Sequence, residues 1–269
     1  MANGYFGMIA ASKSMVSYRT LGQSGCRIEY DDTVIYMDPY LSNSVQELDA
    51  PDLERLIPIP FQPGEVTDAD WVLITHEHMD HCDPHTLPKL ADASPNSHFM
   101  GPPPVLKKLR EWGIPGQRCY SSDEVWKALS KTIKVLSVPA AHPVAERDEA
   151  GRLLTVGYVL EIEGKRIYLA GDTCVTTELI DTLNSLRPIY TAILPVNEHN
   201  YFRGRRGIVG NMSVREAFLL ADEIGVKTVI PVHWDMFEIN SVDVDEIRAI
   251  YRQMKPVFEL QIQPTSIVL

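Results

Sequence analysis

Short apolar runs alternate along this chain with stretches whose apolar residues recur every three or four positions. Residues 27–30 and 33–38 read as the arms of a hairpin, turned at Asp31-Asp32. Residues 71–75 form a short apolar strand. Asp83 then has the character of an N-cap, with Pro84 at the first helical position, so residues 71–90 read as strand, tight loop and helix. Residues 133–138 and 155–162 are strand-like, and the second turns at Glu163-Gly164 into residues 166–170. Residues 190–195 and 226–231 are further buried strands. The clearest helix follows Ser213, which stands three positions before Glu216 as in a capping box. Val214, Ala217, Phe218, Ala221 and Ile224 mark its apolar face and Gly225 ends it. A last helix covers residues 243–254, with Val244, Ile247 and Tyr251 on one side. Strands alternating with helices, without a linker, predict an α/β fold in a single domain over residues 1–269.

The metal-ligand residue types fall at particular points of this pattern. Residues 71–75 end at His76-Glu77-His78-Met79-Asp80-His81, residues 133–138 run toward His142, residues 166–170 run into Gly171-Asp172, and residues 226–231 run into His233. Four strands thus deliver imidazole or carboxylate just past their C-terminal ends, and strand ends on one edge of a packed sheet can converge. Taken singly, each histidine reads as a core or surface residue; taken together and in this order, they read as one site. Imidazole and carboxylate suit zinc, manganese or iron without any thiolate. His76 and His78, two apart on a tight loop, can face one ion, Asp80 and His81 a second, and the Asp172 carboxylate can bridge the two. One or two divalent ions per chain are therefore expected. Such an ion lowers the pKa of a bound water to about 7, and a pair about 3.5–4 Å apart can hold both the attacking and the leaving oxygen. His85 and His98 lack comparable support and read as surface residues.

Composition narrows the field. The chain's 269 residues can bury a sizeable core. Its formal charge of −11 makes it a poor generic binder of nucleic acid or of an anionic membrane, and bound cations would offset part of it. The opening residues 1–16 lack a basic segment followed by a long apolar one, and no apolar run is long enough to span a bilayer. Cys26, Cys82, Cys119 and Cys174 are widely spaced and form no CxxC pair, which suits free thiols in a reducing cytoplasm. Cys82 and Cys174 sit beside candidate ligands but read as buried structural thiols.

At these residues the chain resembles the metallo-β-lactamase superfamily. The signature H-x-H-x-D-H is complete as His76-Glu77-His78-Met79-Asp80-His81. The later ligands match His142 in Ala-Ala-His-Pro, Asp172 in Gly-Asp-Thr and His233 in Pro-Val-His-Trp. The resemblance covers roughly residues 22–240 and implies a four-layer αββα sandwich with the site at one edge of the paired sheets. It also implies that His76, His78 and His142 hold one metal, Asp80, His81 and His233 the other, with Asp172 between. Asp80 or Asp172 would then orient the nucleophile and handle its proton.

The superfamily runs many reactions, so the substrate must be read elsewhere. Between Asn200 and Arg215 there is no acidic residue, while Arg203, Arg205, Arg206 and Arg215 are present with Gly204, Gly207 and Gly210. A basic, glycine-containing loop in an acidic chain suggests an anion site, although a solvated surface loop would have the same composition. Tyr201-Phe202-Arg203, Ile208-Val209-Gly210-Asn211-Met212, Pro231-Val232-His233-Trp234-Asp235-Met236-Phe237 and Asn240 together resemble the L-ascorbate-6-phosphate lactonase group. That group opens a phosphorylated sugar lactone with a divalent metal, typically manganese. The resemblance implies Arg203 near the phosphate, with Asn211 and Asp235 as supporting polar groups. Where the group commonly has Gly-Arg-Asp, this chain has Asn197-Glu198-His199-Asn200, which brings Asn197 and His199 to the pocket as substrate contacts. The expected function is a cytoplasmic metal-dependent hydrolase opening a phosphorylated or acidic lactone. Its expected partner is a small anionic substrate, with neither nucleic acid nor membrane, and the resemblance to a group that tends to form homo-oligomers suggests a homo-oligomer here. The competing reading is a phosphodiesterase acting on a nucleotide, RNA or phospholipid with the same two-metal site.

Overall fold

Successive side chains of a strand point to opposite faces of its sheet, and here both faces meet apolar partners. In Thr33–Met37, Ile35 and Met37 join a central cluster, while Val34 and Tyr36 pack beneath helices on the other side. In Thr228–Val232, Ile230 and Val232 face the centre and Val229 faces outward. Burial on both faces is why these segments read as unbroken apolar runs. The result, in a computed structural model describing residues 15–269, is two seven-stranded sheets packed face to face, with helices against their outer faces. This is the expected αββα sandwich. The reading of the opening residues as free of a leader falls, up to residue 14, outside the described residues.

In spatial order the first sheet runs Ser266–Val268, Met15–Gly22, Gly25–Tyr30, Thr33–Met37, Trp71–Leu73, His98–Gly101 and Cys119–Ser121. The second runs Glu259–Leu260, Thr228–Val232, Ile189–Pro195, Lys165–Leu169, Val156–Ile162, Ile133–Pro139 and Lys127–Ala128. The pairing directions matter for the site. Thr228–Val232, Ile189–Pro195 and Lys165–Leu169 are parallel neighbours. Ile133–Pro139 runs the same way, being antiparallel to a strand that is itself antiparallel to Lys165–Leu169. Their C-terminal ends therefore share one edge. Trp71–Leu73 lies parallel to Thr33–Met37 in the other sheet, so the ends of these two strands also coincide.

The helix Val214–Ile224 has the predicted capping box, with Ser213 and Glu216 satisfying each other's backbone N–H, and Gly225 closes it at φ 71°. Val244–Met254 starts at the Asp243 cap. The first predicted helix starts later than expected, at Leu87. The Asp83 carboxylate accepts from the His85 N–H and the Thr86 hydroxyl, which closes a separate turn containing Pro84 before the helix begins. His98 is not a surface residue as expected: it lies half-buried in a strand, its ring 4.9 Å from Trp71 and 5.4 Å from Tyr120. His85 is partly exposed and faces Glu47. The four cysteines are free; Cys82 is buried, while Cys174 is only half-buried. No helix among the described residues is long and apolar enough to cross a membrane.

Candidate metal centre

The seven ligand candidates meet where the strand ends converge. They form three overlapping groups, His76/His78/His142, His76/His81/Asp172 and Asp80/His81/His233, each with its ligand atoms within 4.8 Å of one another. His78 Nδ1 lies 2.9 Å from His76 Nε2 and 3.2 Å from His142 Nε2. On the other side, Asp80 Oδ2 lies 3.6 Å from His81 Nε2 and 3.5 Å from His233 Nε2. Asp172 joins the two sides. Its Oδ1 is 3.3 Å from His81 Nε2, and its Oδ2 is 3.3 Å from His233 Nε2 and 3.6 Å from His142 Nε2.

These spacings fit cations. Four ligands at about 2.0–2.1 Å from a tetrahedral ion stand about 3.3 Å from one another, close to the separations found. His81 Nε2 and His233 Nε2 are buried and make no hydrogen bond. An unpaired buried ring nitrogen is costly, unless its lone pair meets a cation. The donor set, all imidazole and carboxylate, is one that divalent metal ions take.

Tautomers follow from the surrounding bonds. The Thr75 hydroxyl gives its one proton to Asp38 Oδ2 (2.7 Å), so at its contact with His76 Nδ1 (3.1 Å) the imidazole must donate. The His76 Nε2 lone pair is thereby turned toward the cluster. Asp38 Oδ2 also receives His81 Nδ1 at 2.8 Å, which frees His81 Nε2 in the same way. Gln23 donates from Nε2 to Asp80 Oδ2 at 2.6 Å, and the Ser24 hydroxyl lies 3.5 Å from Asp172 Oδ1. Asp38, Gln23, Ser24 and Thr75 were not among the sequence candidates. Outer partners of this kind typically contribute 10- to 100-fold to metal affinity. Asp38→Asn should weaken metal binding by about that factor, measured by competition with a chelator, because an amide that keeps its oxygen toward the Thr75 hydroxyl and His81 turns its NH2 against the Thr75 N–H that Asp38 Oδ1 accepts at 2.8 Å.

Local backbone places the ligands. Gly171 has φ +61°, and a Cβ there would lie 2.6 Å from the Thr75 side chain, so only glycine lets Asp172 approach the histidine loop. His233 itself is left-handed at φ +61°, uncommon for a non-glycine residue, and its N–H is held by the Gln23 carbonyl at 2.9 Å. Strain of this sort concentrates at functional positions.

The electrostatics call for positive charge. Burial opposes a proton on His81, but Asp172, Asp80 and Asp38 outweigh it and hold its pKa well above the usual range. His233 is pushed up to about 9 by Asp172 and Asp80 against the same burial. Burial also opposes ionisation of Asp172, yet His233 and His81 keep its pKa well below the ordinary carboxylate range. On the other side burial dominates, holding His142 down at about 4.

A cleft of about 180 Å³ opens over this cluster, walled by Val45, Leu53, Met79, Ile208, Val209 and Phe237, with Asn240 on one side. The five expected substrate contacts are placed outside its lining. Arg203 is buried, and its guanidinium faces three backbone carbonyls: Glu198 (2.8 Å), Ile239 (3.0 Å) and Ser241 (2.8 Å). It clamps the chain instead of meeting an anion. The neighbouring arginines are also engaged: Arg205 lies over the Tyr201 ring, Arg206 pairs with Asp52 and Arg215 reaches Gln253. Asp235 accepts from the Gln23 N–H and from Gln263, so it supports the loop that holds Asp80. His199 is exposed. Asn197 and Asn211 are buried and bonded to each other. Arg203→Ala should therefore lower activity equally on charged and uncharged substrates, by about tenfold or more, because it loosens the cleft wall. A loss confined to charged substrates in paired kinetic assays would restore the anion-reading role.

Two sheets meeting at a histidine- and aspartate-rich edge define a class of protein, and the comparisons with known proteins agree. Residues 33–234 match the family described as Beta-lactamase superfamily domain, and the chain belongs to that superfamily. It is 28% identical over 229 residues to an uncharacterized protein of Mycobacterium tuberculosis, covering 85% of this chain and 60% of that one. It is 24% identical over 223 residues to the “Probable L-ascorbate-6-phosphate lactonase” of Salmonella heidelberg, covering 78% and 61%. The chain thus spans about three fifths of the length of these relatives. A metallo hydrolase from Ignicoccus hospitalis superimposes with a TM-score of 0.67 at 18% identity, covering 95% of this chain and 98% of that one.

Proposed function

We propose that this protein is a metal-dependent hydrolase of a small carboxylic ester, most directly a lactone. The observation that carries the reading is the pair of donor clusters joined through Asp172 at the floor of an open cleft. Divalent ions held there supply electrophilic polarisation of the substrate and a water acidic enough to react at neutral pH. The chain's own residues do the rest. Gln23 fixes Asp80 Oδ2, and Oδ1 takes no hydrogen bond from the described residues, so Asp80 is the carboxylate we assign to take the proton of the attacking water. Asp172, ionised and buried between the clusters, keeps their charge balanced. The apolar walls exclude bulk water from the reacting group. The similarity to the Salmonella lactonase supports a lactone, and that relative's name adds a phosphate. Among the described residues the cleft lining holds no arginine or lysine, which favours an ester whose recognition does not rest on a cationic side chain.

The test is a hydrolysis screen over lactones, simple esters, phosphorylated lactones and phosphodiesters, with protein reconstituted separately with manganese and zinc. Turnover of a lactone or ester well above that of any phosphodiester is expected. Preference for phosphodiesters would overturn the reading.

A further inference from the structure

Among the described residues the cleft presents two polar side chains that the cation-binding set leaves out, Asp49 and Asn240, and of these only the Asn240 amide can donate a hydrogen bond. Asn240 ends the short turn Glu238–Asn240 and stands on the cleft wall. Its Oδ1 accepts from Asn197 Nδ2 at 3.1 Å, and Asn197 Oδ1 accepts from Asn211 Nδ2 at 2.9 Å. Three carboxamides therefore form a chain from the interior to the cleft; all three residues are buried, Asn240 the least.

The direction of such a chain is a matter of energetics, since amide oxygen and nitrogen exchange places on a flip. The buried end decides it. The outermost amide atom of Asn211 at that end has no hydrogen-bond partner. As an oxygen it is one under-satisfied carbonyl. In the reversed chain it would be a nitrogen with both N–H groups unpaired, and orphaned donors are the rarer and costlier case. Each Nδ2 thus points toward the cleft. Asn240 Nδ2 makes no hydrogen bond with the described residues and is not among the sealed polar atoms. Arg203 fixes the turn on both sides of it, through the carbonyls of Ile239 and Ser241.

We propose that Asn240 is the substrate-orienting donor of the cleft, its Nδ2 giving a hydrogen bond to an oxygen of the bound ester or its carboxylate product, with Asn197 and Asn211 as positioning residues that set its polarity. The proposal rests on the hydrolase reading for the identity of the ligand, but not for the presence of the donor. It narrows the substrate to one carrying an acceptor oxygen beside the reacting group. A neutral donor holds that oxygen without adding a further cation to the site.

The experiment is a titration of zinc-loaded, nitrogen-15-labelled full chain with inorganic phosphate, followed through the side-chain amide resonances. The Asn240 signal, identified by its loss in Asn240→Asp, should shift on saturation. Phosphate affinity should fall about tenfold in Asn240→Ala and further in Asn240→Asp, with zinc content unchanged. Asn211→Asp places an acceptor-only group at the buried end, which reverses the chain and turns Asn240 from donor to acceptor. It should reproduce the Asn240→Ala loss without reaching the cleft, and the double variant should be no worse than either. If Asn211→Asp does not fold, the Asn240 variants and the resonance still decide. An unmoved Asn240 signal at saturation, or parental phosphate affinity in Asn240→Ala, overturns the proposal. A shifted signal in a protein that turns over no ester would overturn the hydrolase reading and leave this one standing.

Discussion

Exchange of Asp172 for asparagine will lower turnover by at least about a hundredfold while the protein stays folded. Among the described residues Asp172 is the only group whose two oxygens reach imidazoles of both clusters, at 3.3 Å to His81 and His233 and 3.6 Å to His142. An amide has the same shape, so packing around Gly171 and Thr75 survives. It has no charge, however, and the repulsion between two cations would then go unbalanced in a buried setting. Kinetics on the best ester from the screen, alongside thermal unfolding, separate the two effects. A variant that turns over like the parent with both ions bound would show that Asp172 is not the bridge.

His233→Ala will leave about one cation per chain and lower turnover by a comparable factor. The alanine removes one of the donors of the Asp80/His81/His233 group and leaves His76, His78 and His142 untouched. The same residue gives the site a pH dependence. Asp172 and Asp80, outweighing burial, push His233 up to about 9, so in the metal-free protein it carries a proton at pH 7. A cation needs the lone pair on that nitrogen, so loading must expel the proton. Metal affinity therefore rises with pH between 7 and 9, by about tenfold per unit for each proton released. Calorimetry of zinc binding in buffers of different ionisation enthalpy should count at least one fewer proton released by His233→Ala than by the parent. Equal counts would place the proton elsewhere.

The candidate ligands could be picked out together because the signal is local. His76 to His81 lie on one loop, and His142, Asp172 and His233 each follow an apolar run that had to be a strand. The parts that orient them were not. Asp38 looks like the last residue of a hairpin arm, and nothing short of the parallel pairing of Thr33–Met37 with Trp71–Leu73 shows that it reaches His81. Gln23 lies 57 positions from the carboxylate it holds. Arg203 was misread for a related reason: composition shows a guanidinium in an acid-free loop, but not that three carbonyls from both sides of the cleft wall have claimed it. His98 was misplaced because its strand is four residues long and its ring partners, Trp71 and Tyr120, come from separate strands. Edge strands of two residues, such as Lys127–Ala128 and Glu259–Leu260, carry no periodicity to read.

The central claim is that two cation sites share Asp172, and anomalous diffraction from crystals grown with zinc or manganese tests it most directly. Two peaks are predicted, about 3.5–4 Å apart. One should be ringed by His76, His78 and His142, the other by Asp80, His81 and His233, with a carboxylate oxygen of Asp172 reaching both. A single peak away from Asp172, or none within reach of these histidines at full metal loading, would contradict the account.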